Sequence, residues 1–330
     1  MTSMSVPDRA GGKGRAALRR GRAVAASKPF QIAVALAAIA LGALLIYRAL
    51  KDYSFDELVA AVGRVPTGRV AASAGFAAAS YVCLTLFDYL ALRYAGKPLA
   101  YRRAALASFV GLSLGHTIGL AALSSGAIRY RFYSRWGLDA GEVAKVILFC
   151  GLTVGLGLSG LAGAALLFEP GIAWDMAGLS PAATYGLAIA CLAAPVLYVL
   201  LAACLRAPLV VRGWSIALPG PKLAVAQVAV GVANFLCVAA CLHQALAGVR
   251  EVGFAAVASA YVVANTATIL SHVPGGLGVI ETVVQHLLPG VGLVGPLLVF
   301  RFTYFLVPLA LGTLGLAASE AFYARGKGSR

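Results

Sequence analysis

Long stretches without a charged residue alternate with short basic segments along almost the whole chain. Each stretch has at least 18 residues, and about 20 apolar residues cross a bilayer as one helix. The stretches are 30-47, 70-87, 104-128, 146-168, 176-205, 223-249, 252-280, 282-300 and 302-319. This pattern predicts an all-α protein, a polytopic transmembrane helical bundle.

The composition agrees with a chain that lies almost entirely in the membrane. Hydrophobic residues make up 61% and charged residues 12% of the 330 positions, whereas soluble domains are about a quarter charged. We predict a disordered basic cytoplasmic tail at 1-28, a single integral membrane domain at 29-320 and a short basic cytoplasmic tail at 321-330. No Walker-type loop or dinucleotide fingerprint occurs, which excludes an ATP-driven pump in one chain.

The net charge of +15 indicates membrane orientation rather than nucleic-acid binding, because the basic residues flank apolar stretches. If every stretch crossed the bilayer, Arg206, Arg212 and Lys222 would lie outside. That conflict disappears if segments around 104-128 and 252-288 are re-entrant hairpins, entering from the cytoplasm and the exterior respectively. The cytoplasm then holds 21 Lys and Arg and the exterior five, and Arg301 lies in the membrane. We expect a multi-pass protein of the inner (plasma) membrane with both termini cytoplasmic.

Glycine and polar side chains in both segments suit such hairpins, since non-helical backbone inside the membrane needs protein or water around it. The pair His116-Thr117 precedes Ser125-Gly126 by the interval that separates Asn265-Thr266 from Pro274-Gly275. This spacing suggests an inverted repeat, which in transporters surrounds a binding site near the midplane. Two ordinary crossing helices with polar packing residues are the alternative.

Four ionisable residues stand in or beside the apolar stretches: Asp88, Arg129, Glu281 and Arg301. Each would cost about 2.5–3.5 kcal/mol at the centre of a membrane helix, so each needs a partner or a polar cavity. Glu281 and Arg301 either pair structurally or line a path for a charged headgroup. Asp88 either contributes to this path or lies at the cytoplasmic interface.

The segment 129-136 combines three arginines with four aromatic residues. Arginine binds phosphate with two parallel hydrogen bonds, and Tyr and Trp prefer the headgroup region. Arg129 and Arg131 are therefore candidates for binding a lipid phosphate. An ordinary cytoplasmic loop would show the same composition.

The string from His272 to Glu281 reads His-Val-Pro-Gly-Gly-Leu-Gly-Val-Ile-Glu. Its proline and glycines predict a broken helix that restarts near Gly278, with the positive N-terminus of the new helix facing the turn. Either an anion docks there, or Glu281 caps the helix with its own carboxylate.

Three strings resemble the membrane domain of the lysylphosphatidylglycerol synthase/flippase family over nearly the full span 30-320. They are FDYLALRY at 87-94, SGAIRYRFYSRWGL at 125-138 and HVPGGLGVIE at 272-281. In that family the membrane domain moves aminoacylated phosphatidylglycerol between leaflets and precedes a cytoplasmic transferase domain. The resemblance implies a stand-alone flippase-like domain without the synthase, and roles for Asp88, Arg129, Arg131 and Glu281.

We therefore expect a lipid flippase-like transporter, not an enzyme, that moves a phospholipid such as aminoacylated phosphatidylglycerol between leaflets. A separately encoded lipid-modifying transferase is a possible partner, a homo-oligomer is possible, and no nucleic acid, cofactor or metal is expected. The candidate substrate-binding residues are Arg129, Arg131, Glu281, Asp88, Arg301, His116, Ser125, Asn265, Thr266, His272, Gly275 and Gly276.

Three other functions remain open at this point. The same fold could serve as a permease for a soluble metabolite or as a membrane scaffold for a lipid-modifying enzyme. A membrane-embedded glycosyltransferase would use acidic residues in an early exterior loop, where Asp56 and Glu57 lie. Loss of function in Asp56→Asn would favour the enzyme.

Overall fold

The structure, a computed structural model, describes residues 54–118, 121–205, 209–211, 214–216, 218–288 and 293–328. The predicted tail 1-28 and the first apolar stretch 30-47 lie outside the described residues. Within the described part the chain forms twelve α-helices and one small β-hairpin. They are α1 (Phe55–Gly63), α2 (Thr67–Tyr94), α3 (Tyr101–Ile118), α4 (Ala121–Arg135), α5 (Ala140–Phe168), α6 (Gly171–Ala177), α7 (Pro181–Cys204), β1 (Leu209–Val211), β2 (Trp214–Ile216), α8 (Pro221–Leu246), α9 (Phe254–Ser271), α10 (Val279–Leu287), α11 (Val294–Arg301) and α12 (Val307–Gly328).

Six of these segments are long and apolar enough to cross a membrane: α2, α5, α7, α8, α9 and the continuous stretch Val294–Tyr323. The prediction of an all-α polytopic protein is thus confirmed for the described residues. The antiparallel β1–β2 hairpin, with Leu209 opposite Ile216, was not predicted. Its three-residue strands, Leu-Val-Val and Trp-Ser-Ile, lie between α7 and α8.

The last two apolar stretches, 282-300 and 302-319, do not correspond to two separate helices. They are separated in the sequence by Arg301, and Arg301 lies inside one continuous helical span, Val294–Tyr323, in agreement with the threading that places it in the membrane. A single π-helical turn, Phe302–Leu306, joins α11 to α12. The break instead falls after α10, which ends at Leu287, two residues before Pro289 in the sequence. A helix usually ends before proline because proline restricts the residue that precedes it.

Close helix contacts hold the centre of the bundle together. Helix α8 packs along α2 on one side and along α5 on another. A Cβ atom on Gly157 of α5 would lie 2.4 Å from the carbonyl oxygen of Gly231 in α8. The two backbones therefore approach more closely than any side chain would allow, as small residues permit in membrane helices.

Helices α3 and α4 pack against each other in antiparallel order. A Cβ atom on Gly115 would lie 2.8 Å from the Ser125 Cβ, and one on Gly111 would lie 3.4 Å from the Arg129 Cγ. The outer ends of both helices therefore lie on the same side of the bundle. Helices α9 and α10 also contact each other, with the short turn Pro274–Gly276 between them.

Helix α12 packs on α3, also in antiparallel order. A Cβ atom on Gly312 would meet Ser113, and one on Gly315 would meet Val110. This order brings the C-terminal end of α12 to the same side of the bundle as the outer ends of α3 and α4.

Candidate functional site

A buried ion pair links α2 to α4. The Arg129 Nη2 and Nε atoms each donate a 2.8 Å hydrogen bond to the Asp88 carboxylate, one to each oxygen. The Tyr133 hydroxyl donates to the same carboxylate at 3.0 Å, and Arg129 Nη1 donates to the Ser125 hydroxyl at 2.9 Å. Asp88 is therefore enclosed by the helices of the bundle.

This pair is closed to the surroundings, because Asp88 is 0% and Arg129 is 3% exposed. Buried charges in proteins are paired, since moving an ion out of water costs several kcal/mol. A lipid phosphate at Arg129 would have to take the place of the Asp88 carboxylate. The phosphate role of Arg129 stays a prediction.

A second ion pair joins α10 to the end of α11. The Arg301 guanidinium donates to both oxygens of Glu281, through Nε to one and through Nη2 to the other at 2.7 Å. It also donates to two backbone carbonyls, through Nη1 to Gly275 and through Nη2 to Gly276 at 2.7 Å. Its guanidinium carbon lies 5.1 Å from the centre of the Phe305 ring.

The turn before α10 explains this arrangement. Gly275, Gly276 and Gly278 have φ values of 61°, 57° and 78°, a conformation that favours glycine. Their backbone directs the carbonyls of Gly275 and Gly276 toward Arg301. Glu281 also accepts a 2.9 Å hydrogen bond from the Gly278 amide, so its own carboxylate caps α10. Of the two alternatives for the end of this string, the structure contains the capped one.

The turn between α9 and α10 lies beside the end of α3. A Cβ atom on Gly275 would lie 3.9 Å from the carbonyl oxygen of Thr117, near the end of α3, and 3.8 Å from Arg301 Nη1. The turn between α9 and α10 therefore touches the end of α3, and Arg301 lies directly beside this contact. The structure thus brings together Arg301, Glu281, Gly275 and Gly276.

The remaining predicted residues lie apart from this cluster or at its edge. His116, one residue before Thr117, faces the ring of Tyr81 at 6.5 Å, and Asn265 accepts a 3.4 Å hydrogen bond from the Tyr261 hydroxyl. Thr266 and His272 are exposed, and His272 ends α9 with a φ of 55°. Arg131 points to α12, where it pairs with Glu320 at 2.7 Å.

Sequence reasoning missed a set of buried polar side chains that connects α2 with α8 and with the π-helical turn after Arg301. The Ser80 hydroxyl donates to the side-chain oxygen of Asn234 at 2.7 Å and lies 3.2 Å from the Tyr304 hydroxyl. Nearer the start of α2, the Ser73 hydroxyl contacts Thr303 at 3.3 Å. Tyr304 and Thr303 belong to the π-helical turn, and such turns are frequent at functional sites. Isolated polar residues in an apolar stretch gave no signal in the sequence.

Metal ligands do not cluster in the part of the chain that the structure describes. No group of three His, Cys, Asp or Glu residues suited to a metal is found there. Cys241 instead lies 3.3 Å from the Ser73 hydroxyl, and the His243 ring contacts the backbone of Val252.

Comparison with known proteins gives two full-length relatives, although no family model matches the chain. The chain is 30% identical to the uncharacterized protein slr0712 of Synechocystis over 296 residues, which cover 88% of this chain and 91% of the relative. It belongs to the same family as slr0712. It is also 27% identical to the inner membrane protein YbhN of Escherichia coli over 281 residues, 82% of each chain.

These relatives and the six candidate spans identify a multi-pass inner membrane protein like YbhN. Membership of the lysylphosphatidylglycerol synthase/flippase family stays a prediction, because neither relative carries that name.

Proposed function

We propose that this protein is a lipid flippase-like transporter that moves a phospholipid headgroup between leaflets. The observation that carries the proposal is the Arg301–Glu281 pair at the place where the turn between α9 and α10 lies beside the end of α3. Ionisable groups inside a membrane are costly and mark substrate paths by default. Here a cation and an anion lie next to a buried non-helical turn at Gly275 and Gly276, which resembles the broken helices of transporters.

The pair matches the charges of a phospholipid headgroup. Arg301 would bind the phosphate, since a guanidinium forms paired hydrogen bonds with phosphate oxygens. Glu281 would balance an amino group of a zwitterionic or aminoacylated headgroup. His116, Asn265 and Thr266 would line the polar path, and the acyl chains would remain in the lipid. Phosphatidylglycerol and its aminoacylated form are the substrates we favour.

The topology that we propose has both termini in the cytoplasm and two re-entrant hairpins. The pair α3–α4 would enter from the cytoplasm and the pair α9–α10 from the exterior. The distribution of Lys and Arg supports this topology, and so does the antiparallel packing of α3 on α4.

Labelling of single cysteines in a cysteine-free background tests the topology. Lys97 and Ser134 flank the first hairpin, Glu251 and Val294 flank the second, and all four are exposed. We expect an impermeant thiol reagent to label positions 97 and 134 from the cytoplasm and positions 251 and 294 from the exterior. Opposite accessibility within either pair would mean that the segment crosses the membrane.

Leaflet exchange in proteoliposomes tests the function. The purified protein should exchange labelled phosphatidylglycerol between leaflets, and Glu281→Gln and Arg301→Ala should each slow the exchange about tenfold or more, the usual effect of losing one charged contact. Glu251→Gln is the matched control, because Glu251 is exposed, and it should keep the wild-type rate. Absence of exchange for every lipid class by folded wild-type protein would refute the proposal.

The Glu281→Gln variant removes the charge of the side chain and keeps its shape. Its folding is checked by the unfolding free energy in mixed micelles, so that a slow exchange cannot be confused with loss of the fold. The same preparations test the permease alternative, since flux of a soluble metabolite without lipid exchange would favour it.

A further inference from the structure

The C-terminal ends of α4 and α12 are joined by three charged side chains. Arg135 Nη2 donates to both oxygens of Glu320, at 2.9 Å and 3.0 Å. Arg131 Nη2 lies 2.7 Å from one of these oxygens. Two guanidinium groups therefore share one carboxylate. We call Arg131, Arg135 and Glu320 the α4–α12 cluster.

The α4–α12 cluster carries one surplus positive charge and is only partly closed. Its side chains are 17%, 22% and 27% exposed for Arg131, Arg135 and Glu320, in contrast to the closed Asp88–Arg129 pair. Arg135 Nη1 is buried and has no hydrogen-bond partner among the described residues. A buried donor without an acceptor is costly, so Arg135 has capacity for a further anionic oxygen.

Aromatic rings border the cluster. The Arg135 guanidinium carbon lies 4.8 Å from the centre of the Tyr323 ring, and the Trp136 indole donates a 3.0 Å hydrogen bond to the Tyr323 hydroxyl. Arg103 adds a third guanidinium, 5.7 Å from the Trp136 ring. Tyr323 is the last residue of the candidate span Val294–Tyr323, and Trp and Tyr are enriched in the headgroup region of a bilayer. A cluster at the end of this span is therefore suited to contact with a lipid headgroup.

We propose that the α4–α12 cluster is a phosphate-binding site for an anionic phospholipid of the cytoplasmic leaflet, in which the Glu320 carboxylate is the resident anion that the lipid phosphate replaces. This inference rests on the proposed function, because it makes the cluster the entry site of the path. Arginine suits the exchange, since its planar fork binds carboxylate and phosphate in the same geometry.

Replacement of Glu320 would also change how the helices are joined. Glu320 is on the last span, whereas both arginines are on α4. A phosphate bound to Arg131 and Arg135 would release the charged contact between α4 and α12. Of the hydrogen bonds and ion pairs described above between α12 and the C-terminal end of α4, the one from the Trp136 indole to the Tyr323 hydroxyl would remain. Binding at the cluster would therefore loosen the base of the first hairpin on its α12 side.

The test measures binding of phosphatidylglycerol to the purified full chain in detergent by native mass spectrometry. Loss of one charged hydrogen-bonding group weakens binding by about tenfold, which we expect for Arg135→Ala. Glu320→Gln should strengthen binding several-fold, because it removes the competing charge while preserving the side-chain shape. Arg93→Ala is the matched control and should bind as the wild type does, since Arg93 is exposed and rests on Tyr89.

The opposite response to Glu320→Gln separates this site from a structural salt bridge. If the cluster only held the helices together, both variants would weaken binding or leave it unchanged, and either result would overturn the proposal. Arg135→Lys keeps the charge and loses the planar fork, so it should weaken binding even if Arg135→Ala does not fold.

Inorganic phosphate and phosphatidylcholine are the comparison ligands. Phosphatidylcholine should bind more weakly than phosphatidylglycerol, because its headgroup has no net negative charge. Binding of inorganic phosphate that follows the same variant pattern, without binding of phosphatidylglycerol, would overturn the lipid assignment. Failure of the proposed function can be told apart from failure of this inference. If the protein does not move lipid, leaflet exchange is absent but the variants still show the expected pattern of phosphatidylglycerol binding.

Discussion

Replacing Arg129 with alanine should strongly destabilise the protein instead of removing only a ligand. Asp88 is completely buried and accepts hydrogen bonds from two guanidinium nitrogens of Arg129. The substitution removes both of these donors and the positive charge, and it leaves the buried carboxylate with the hydrogen bond from the Tyr133 hydroxyl. Removing one partner of a buried ion pair costs about 3–5 kcal/mol. The loss exceeds what a missing surface arginine would cause, because surface ion pairs contribute about 1 kcal/mol or less.

Removing both charges should restore most of this stability. In Asp88→Leu combined with Arg129→Met, no unpaired ion remains, and such replacements are often neutral or stabilising by about 1–4 kcal/mol. We therefore expect the double variant to be more stable than Arg129→Ala alone. This recovery distinguishes a charge effect from the loss of side-chain packing.

The assay is the free energy of unfolding in mixed micelles titrated with a denaturing detergent. Arg93→Ala is the matched control, because Arg93 is exposed and rests over the Tyr89 ring at 4.4 Å. A cation–π contact of this kind contributes about 0.5–1 kcal/mol. Wild-type stability in Arg129→Ala, or a double variant as unstable as the single one, would refute the reasoning.

The remaining predictions concern helix packing and a helix cap. Gly157→Ala should destabilise the bundle by about 1–3 kcal/mol, the usual cost of overpacking, because the new methyl group would meet the Gly231 carbonyl at 2.4 Å. Gly155→Ala is the control with open space around it; equal unfolding free energies of the two variants would contradict the close approach. Glu57 caps α1, and hydrogen bonds from the Ser54 backbone and side chain lower its carboxyl pKa. Because the folded pKa is lowered, the cap stabilises α1 above the ordinary carboxyl pKa and this stability is lost as pH falls through the lowered pKa. Hydrogen exchange of the α1 amides should therefore be faster in Glu57→Ala than in wild type at neutral pH and equal at low pH; a difference that persists in acid would exclude the ionised cap.

The fold class could be predicted from the sequence because the membrane imposes a length and a polarity on each helix. The proline and glycines of the string 272-281 predict a helix break, and the structure contains it at Pro274–Gly276. The two re-entrant hairpins that charge placement predicts stay a prediction. The list of uncharged stretches ends one at Arg301, but the threading with two hairpins places Arg301 in the membrane, and the structure has it inside the candidate span Val294–Tyr323. A charge inside a helix does not break the backbone when a neighbouring carboxylate and two carbonyls accept its hydrogen bonds.

Partners across the bundle were harder to predict than the residues themselves. Asp88 and Arg129 were both singled out, yet they are 41 residues apart, and Glu320 is 185 residues from Arg135. Spacing along one helix indicates which residues share a face, but it does not determine which face of another helix lies opposite. The packing of α3 against α2, α4 and α12 determines these contacts.

The two ion pairs, Asp88–Arg129 and Glu281–Arg301, differ in the exposed fraction of their side chains. This difference affects which pair a ligand can reach. Asp88 and Arg129 are 0% and 3% exposed and satisfy each other, so a ligand could reach them only by opening the bundle. Glu281 is 24% exposed and its partner Arg301 8%, and Arg301 also binds the turn that lies beside the end of α3. A charge that must exchange partners during transport has to be reachable, and the cost of exposing it falls when a new ion takes over the same hydrogen bonds. For this reason we propose that the headgroup contacts lie at Glu281 and Arg301, with Arg135 and Glu320 at the entry. Phosphate binding at Arg129 stays a prediction that requires the bundle to open.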